Sequence, residues 1–130
     1  MNIEELINTF KDFENQTSDA LNRFAETDVR SEEHRLASKK INILTEERRN
    51  LHKELFKNNK SDDMYDYVHD SILDDGEDMP VGYKAIIIDS YYDAILRRNH
   101  TIAQIITPKE ETYFIDVPTY KRVKIGTIYK

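Results

Sequence analysis

The chain has 130 residues, of which 38% are hydrophobic and 34% charged, with a net charge of −6 and no cysteine. That length supports one domain with a real core, and the missing cysteine excludes a disulfide framework and thiol chemistry. No apolar run approaches the roughly 18 residues of a membrane span, and the acidic start MNIEELINTF has the wrong charge for a signal peptide, so a soluble cytoplasmic protein with no membrane contact is expected.

The first segment carries an apolar seam. Ile3, Leu6, Phe10, Phe13, Thr17, Ala20 and Phe24 alternate steps of three and four residues, the a/d spacing of a helix that packs along one stripe. Asn2 followed by Glu5 forms a capping box at its start. A helix is predicted over 3–24. The second segment, predicted over 29–57 with Thr27 or Asp28 as its cap, places Ala37, Ile41, Leu44, Leu51 and Leu55 on one stripe, interrupted at a seam position by Arg48. The apolar phase slips between Phe24 and Val29. That slip favours an antiparallel hairpin over one continuous helix of roughly 80 Å. If Arg48 and the polar gaps cannot be buried within one chain, a homo-oligomer through helices 3–24 and 29–57 follows.

The third segment, SDDMYDYVHDSILDDGEDMP, is the acidic one. Residues 61–82 hold eight carboxylates and no lysine or arginine, against 11 basic and 12 acidic groups in 1–60 and eight basic and five acidic in 83–130. Met64, Tyr67, Val68, Ser71 and Ile72 recur at helical spacing, so a short helix is predicted, stopped by Gly76. Asp62, Asp63 and Asp66 near its start suit the helix dipole. Asp74 and Asp75 near its end do not, and lack a local structural explanation.

The last third is expected to be mainly β. Strands are predicted over 101–107, 112–117 and 121–129, joined by turns at 108–111 and 118–120, as a three-stranded meander. Val123, Ile125 and Tyr129 are expected on one face of the last strand, with Arg122 and Lys124 on the other. Residues 84–98 read equally as a buried helix or as a strand pair broken at Asp89-Ser90. The fold class is therefore α+β: an N-terminal antiparallel helical hairpin (1–58), an acidic helix with a Gly/Pro loop (59–82), and a C-terminal antiparallel β-meander (83–130).

Chemical motifs are weak. His69-Asp70, with His34 and His52 upstream, matches the dipeptide of a metal-dependent hydrolase of the HD type and nothing more; a histidine at the edge of an amphipathic helix is the plainer account. Gly76 as the sixth position of a calcium loop would put Ser71 first and Leu73 third, which fails. Asp89, Asp93, Asp116 and Lys121 fall in the β region without the spacing of a nuclease site. There is no phosphate loop, dinucleotide fingerprint or nucleophile elbow, so no cofactor and no enzymatic activity are expected.

The acidic stretch remains. Solvation explains it, and so does docking on the basic last third of the same chain. The sharper reading is imitation of a nucleic-acid backbone, which presents one charge per roughly 1.7 Å of duplex axis. The surface for it would be Asp62, Asp63, Tyr65, Asp66, Asp70, Asp74, Asp75, Glu77 and Asp78, and the partner a protein with a basic surface. Direct binding to nucleic acid is not expected of so acidic a chain. The richness in Lys, Asn, Ile and Asp looks like that of a bacteriophage or mobile-element protein from a low-GC genome, which would place it in a host cytoplasm. The expected function is a non-enzymatic interaction module, in its sharpest form a phage-type inhibitor of a host nucleic-acid-binding protein. The alternative is a virion or assembly protein that oligomerises through its hairpin.

Overall fold

A computed structural model describes residues 2–57, 63–93 and 96–130. Three helices, α1 (Ile3–Glu26), α2 (Glu32–Phe56) and α3 (Tyr65–Asp74), precede four strands, β1 (Lys84–Asp93), β2 (Arg98–Ile106), β3 (Thr112–Thr119) and β4 (Ile128–Tyr129). The strands form one open antiparallel sheet in the order β3-β2-β1-β4. The helical hairpin covers one face of the sheet and α3 the other. No helix is long and apolar enough to cross a membrane among the described residues.

The hairpin forms for the reasons its sequence gives. Asn2 caps α1: its Oδ1 accepts from the Glu5 N–H at 2.8 Å, and its Nδ2 donates to Glu5 Oε1 at 3.0 Å. This is a capping box closed through side chains. Leu6, Phe10 and Ala20 of the seam are buried. The cap of α2 is Ser31, not Thr27 or Asp28. Ser31 Oγ accepts from the His34 N–H at 3.1 Å, while Thr27 ends α1 by donating its N–H to the Arg23 carbonyl and Asp28 accepts from the Arg30 N–H within the turn. Thr27 and Ser31 thus satisfy free backbone groups at the two helix ends, and Asp28 closes the turn between them.

The predicted acidic helix exists, but Gly76 does not stop it. Asp75 takes the left-handed conformation (φ 52°) and its N–H bonds to the Ser71 carbonyl. The Gly76 N–H also reaches that carbonyl, at 3.1 Å. Aspartate tolerates this conformation better than most residues, so the turn closes one residue early. Val68, Ser71 and Ile72 are buried and Tyr67 is exposed.

Two corrections concern the β region. Lys84–Asp93 is a single strand, and its ambiguity has a cause. Residues 85–90 are buried without a break, because helices cover both faces, so the alternation that marks a strand is lost. The predicted third strand over 121–129 is also replaced. Only Ile128 and Tyr129 form a strand, and they pair with β1 rather than β3. Before them the Gly126 N–H donates to the Ile87 carbonyl at 2.7 Å and Ile87 N–H to the Thr127 carbonyl at 2.8 Å. Gly126 sits at φ 96°, which a side chain would strain. The return segment also does not keep one apolar face, since Val123 and Tyr129 join the α3-side core whereas Ile125 joins the hairpin-side core. Pro118 lies within β3, opposite His100. An edge strand accommodates it, because its outer side needs no N–H.

Each face of the sheet has its own core. On the α3 side Met64, Val68, Ile72 and Met79 meet Ala85, Ile87, Ala103, Ile105, Ile115 and Val117. On the hairpin side Leu6 and Phe10 meet Ile88, Ile102 and Ile125, with Leu51, Leu55, Tyr91 and Phe114 at the edge. These contacts involve only the base of the hairpin; the tip, from Thr17 to Leu44, belongs to neither core.

Candidate functional site

The described acidic residues do not share one environment, and Asp62 lies outside the described residues. Asp63 accepts a hydrogen bond from the Tyr113 hydroxyl at 2.8 Å. Asp75 pairs with Lys121 at 3.0 Å, so one link between the acidic helix and the basic last third is real. Tyr65 is half-buried and stacks on His69 at 6.2 Å. Asp66, Asp70, Asp74, Glu77 and Asp78 are exposed. Three of these, Asp70, Asp74 and Asp78, are brought close together. A hydrogen bond with Asp74, then burial and the charges of Asp74 and Asp70, raise the Asp78 carboxyl above its ordinary value. Tyr67 and Leu73 stand exposed on the same helix, at 44% and 52%.

The histidines suggested by the HD dipeptide are dispersed. His69 lies 3.8 Å from Asp70, His34 bonds Thr27 and stacks on Phe24, and His52 is buried against the sheet. Among the described residues no group of three or more His, Asp or Glu side chains is placed to hold a metal ion.

The strongest polar constellation joins Arg48, His52 and Asp89, three residues that nothing in the sequence pairs. Asp89 is fully buried and accepts from Arg48 Nε at 2.9 Å, from Arg48 Nη2, and from His52 Nε2 at 2.6 Å. Burial alone would raise the Asp89 carboxyl. Hydrogen bonds from His52 and Arg48, with the Arg48 charge, outweigh it and hold the group below the usual carboxylate range. An ionised Asp89 requires the proton on His52 Nε2. The opposite contest acts on Arg48, where burial favours loss of charge and Asp89 and Glu14 prevail to raise its pKa.

A bulge in β1 makes this possible. The pairing with β2 runs Ile87 to Ala103 and then Asp89 to Ile102, leaving Ile88 extra. Ile88 and Asp89 therefore both point to the hairpin face, where strict alternation would send Asp89 toward α3. Tyr91 follows on that face. Its ring stacks on His52 at 4.9 Å and on His100 at 5.4 Å, and Arg48 lies 5.6 Å from its centroid. Burial, then the charges of Asp116, Asp93 and Asp89, push its hydroxyl up to about 12. His100 is held in turn by Asp116 at 2.9 Å. Of the four nuclease candidates, Asp89 is thus locked in a buried ion pair, Asp93 and Asp116 flank His100, and Lys121 points at Asp75.

Beyond Asp89 the network opens to solvent. Glu14 bridges Arg48, at 3.0 Å, and Arg122. Two cavities meet at this bridge. One, of about 580 Å³, lies where the hairpin tip leaves the sheet, lined by Leu21, Ile41, Arg49 and Tyr91 among others; the second, of about 440 Å³, is lined by Lys11, Lys124 and Ile125. Glu14 and Arg122 line both. The sequence did hold a signal for this site: a cation on an apolar seam at Arg48 and an acid after three isoleucines at Asp89. Because Arg48 is buried within one chain, it supplies no argument for a homo-oligomer. Compared with models of known families, with curated proteins and with solved structures, the chain matches none.

Proposed function

We propose that this protein is a non-enzymatic interaction module that docks through the exposed carboxylates of α3 and its following loop onto a basic surface of another protein. The observation that carries the reading is the crowding of Asp70, Asp74 and Asp78, with no lysine or arginine paired to any of them among the described residues. Asp70 and Asp74 sit on a helix whose opposite face is clamped to the sheet by Val68 and Ile72, and Asp78 lies in the loop that follows it. Ordered, uncompensated charge of one sign costs self-repulsion. A cationic partner would relieve that cost and associate quickly, with an affinity that falls as salt rises. Exposed Tyr67 and Leu73 supply apolar anchors beside the charges. In its sharpest form the partner is a nucleic-acid-binding protein and this chain a bacteriophage-type inhibitor that occupies its groove.

The test compares two baits in pull-downs from a low-GC bacterial lysate at low and moderate salt: the native chain, and one with Asp66, Asp70, Asp74 and Asp78 changed to Asn and Glu77 to Gln. Capture of a nucleic-acid-binding protein by the native bait alone, released by salt, supports the reading. Equal capture by both baits rejects it.

One observation favours a second reading, self-association through the hairpin tip. Leu21, Phe24, Val29, Leu36 and Ile43 are exposed along it, Val29 at 79%, and contact with a second copy would take that apolar surface out of water. Sedimentation over a range of concentrations tests it, with Val29→Asp and Leu36→Asp as the variants that should dissociate any oligomer.

A further inference from the structure

We infer that the paired cavities at the Glu14–Arg122 bridge form a binding site for a small organic anion, an apolar body carrying a carboxylate or phosphate head. This site is separate from the acidic face of α3. Charge distinguishes it first. In a chain of net charge −6, its walls gather Arg48, Arg49, Arg122, Lys11 and Lys124 against Glu14 and Asp93, with Asp89 behind Arg48. Lys11, Arg49 and Lys124 pair with no carboxylate among the described residues. Size and lining agree: about 580 Å³, with Leu21, Ile41 and Tyr91 on its walls, falls within the range of small-molecule sites, which are mainly apolar with a few placed polar groups.

The Glu14 carboxylate marks where the head of such a ligand sits. Its two oxygens take one nitrogen each from Arg48 and Arg122, a clamp of two guanidinium groups whose charge-assisted hydrogen bonds suit carboxylates and phosphates alike. The three partners are unequal. Arg48 keeps Asp89 if Glu14 leaves. Among the described residues Arg122 keeps only the Ser90 carbonyl, at 3.3 Å. Glu14 is itself about one-third exposed, at 32%, which leaves its side chain a path toward solvent once its pairs are broken. Glu14 therefore acts as an internal stand-in: an incoming anion displaces it from Arg122, and its apolar body enters the cavity beside Tyr91. Competition of this kind has a signature that a passive cationic patch lacks, since removing the charge of Glu14 strengthens binding.

The test is a calorimetric and NMR titration of the full chain with phenyl phosphate, benzoate and inorganic phosphate. Saturable one-to-one binding of phenyl phosphate or benzoate is expected, with amide shifts around Glu14, Ser90 and Arg122. A preference for phenyl phosphate assigns phosphate esters as the ligand class, and a preference for benzoate assigns carboxylic acids. Glu14→Gln should tighten binding several-fold and Arg122→Gln weaken it by about tenfold, roughly 1.4 kcal/mol. Arg49→Gln, on the exposed face of α2, should weaken binding without touching the fold, and thermal melts of all three variants separate lost binding from lost structure. Absence of saturable shifts, equal affinity for inorganic phosphate, or no gain on Glu14→Gln in a folded protein overturns the proposal.

Discussion

Arg48 on α2 and Asp89 on β1, 41 residues apart in sequence, meet in the interior as a two-pronged ion pair, with Arg48 Nε 2.9 Å from Asp89 Oδ2. The pair ties the hairpin to the sheet at the point where the hairpin base ends. Breaking a buried pair by removing one partner leaves an uncompensated charge and typically costs about 3–5 kcal/mol, a large share of the roughly 5–15 kcal/mol that holds a domain folded. Arg48→Met and Asp89→Asn should each destabilise by that order. The double variant should cost less than the sum of the two, because neither charge is then left alone. Urea unfolding of the four proteins completes the cycle, and additive losses would show that the two residues act independently.

Acid stability follows from the same pair. The Asp89 carboxyl titrates below its ordinary value in the folded state and near about 3.9 in the unfolded chain. The unfolded chain therefore takes up the proton first as pH falls. The stabilisation is complete above about pH 4 and is lost as pH drops through the lower, folded value. Asp89→Asn should be less stable than the native chain at neutral pH, and the difference should shrink below about pH 4. Thermal melts across an acid series would show it, and a gap independent of pH would count against this assignment.

Alkaline behaviour is opposite in sign and involves Tyr91. Its hydroxyl is pushed up to about 12, against about 10 in an unfolded chain. The contribution is present below about pH 10 and is lost as pH rises toward the folded value. Burial raises the Tyr113 and Tyr129 hydroxyls as well, so ultraviolet titration should show several late-ionising tyrosines, one fewer in Tyr91→Phe. An undiminished late phase in that variant would count against Tyr91 as one of them.

The legible parts of this fold are the local ones. The seam from Ile3 to Phe24 and the turn between β2 and β3 each depend on residues close in sequence, and both are found. In that turn Thr107 N–H reaches the Glu111 carbonyl at 2.9 Å. The parts misread depend on distant partners. Whether residues 84–93 form a strand is decided by what covers both faces of them. Where residues 121–129 go is decided by β1, the strand nearly 40 residues upstream that Gly126, Thr127 and Ile128 join. The Arg48–Asp89 site was invisible for the same reason, and because a one-residue bulge at Ile88 reverses the side on which Asp89 emerges. Both residues had stood out as polar interruptions of apolar stripes, so the trace was present and its pairing was not.

Phe10 links the hydrophobic and polar halves of the hairpin-side interior. It is fully buried and its ring stacks on His52 at 5.2 Å. Phe10→Ala should cost about 3–5 kcal/mol through lost burial and the cavity left behind. It should also release the His52 ring, which Phe10 and Tyr91 both contact. Denaturant unfolding measures the first effect and the His52 imidazole NMR signals the second. An unchanged His52 signal in a destabilised variant would show that Asp89 and Tyr91 hold the ring without Phe10.

The acidic ridge of α3 yields a prediction that needs no partner. Asp78 holds its proton more tightly than an ordinary aspartate, first through the hydrogen bond with Asp74 and then through burial and the neighbouring charges. NMR titration of the side-chain carboxyls should find Asp78 titrating above the ordinary aspartate range. Asp74→Asn should bring it down by removing a charge, and Asp70→Asn should do so by less, since its charge is the smallest contributor. Added salt should have the same direction of effect, because these groups face water and are screened. If Asp78 titrates in the ordinary aspartate range and ignores both substitutions, the carboxylates are spread apart in solution, and the crowding on which the docking surface rests is absent.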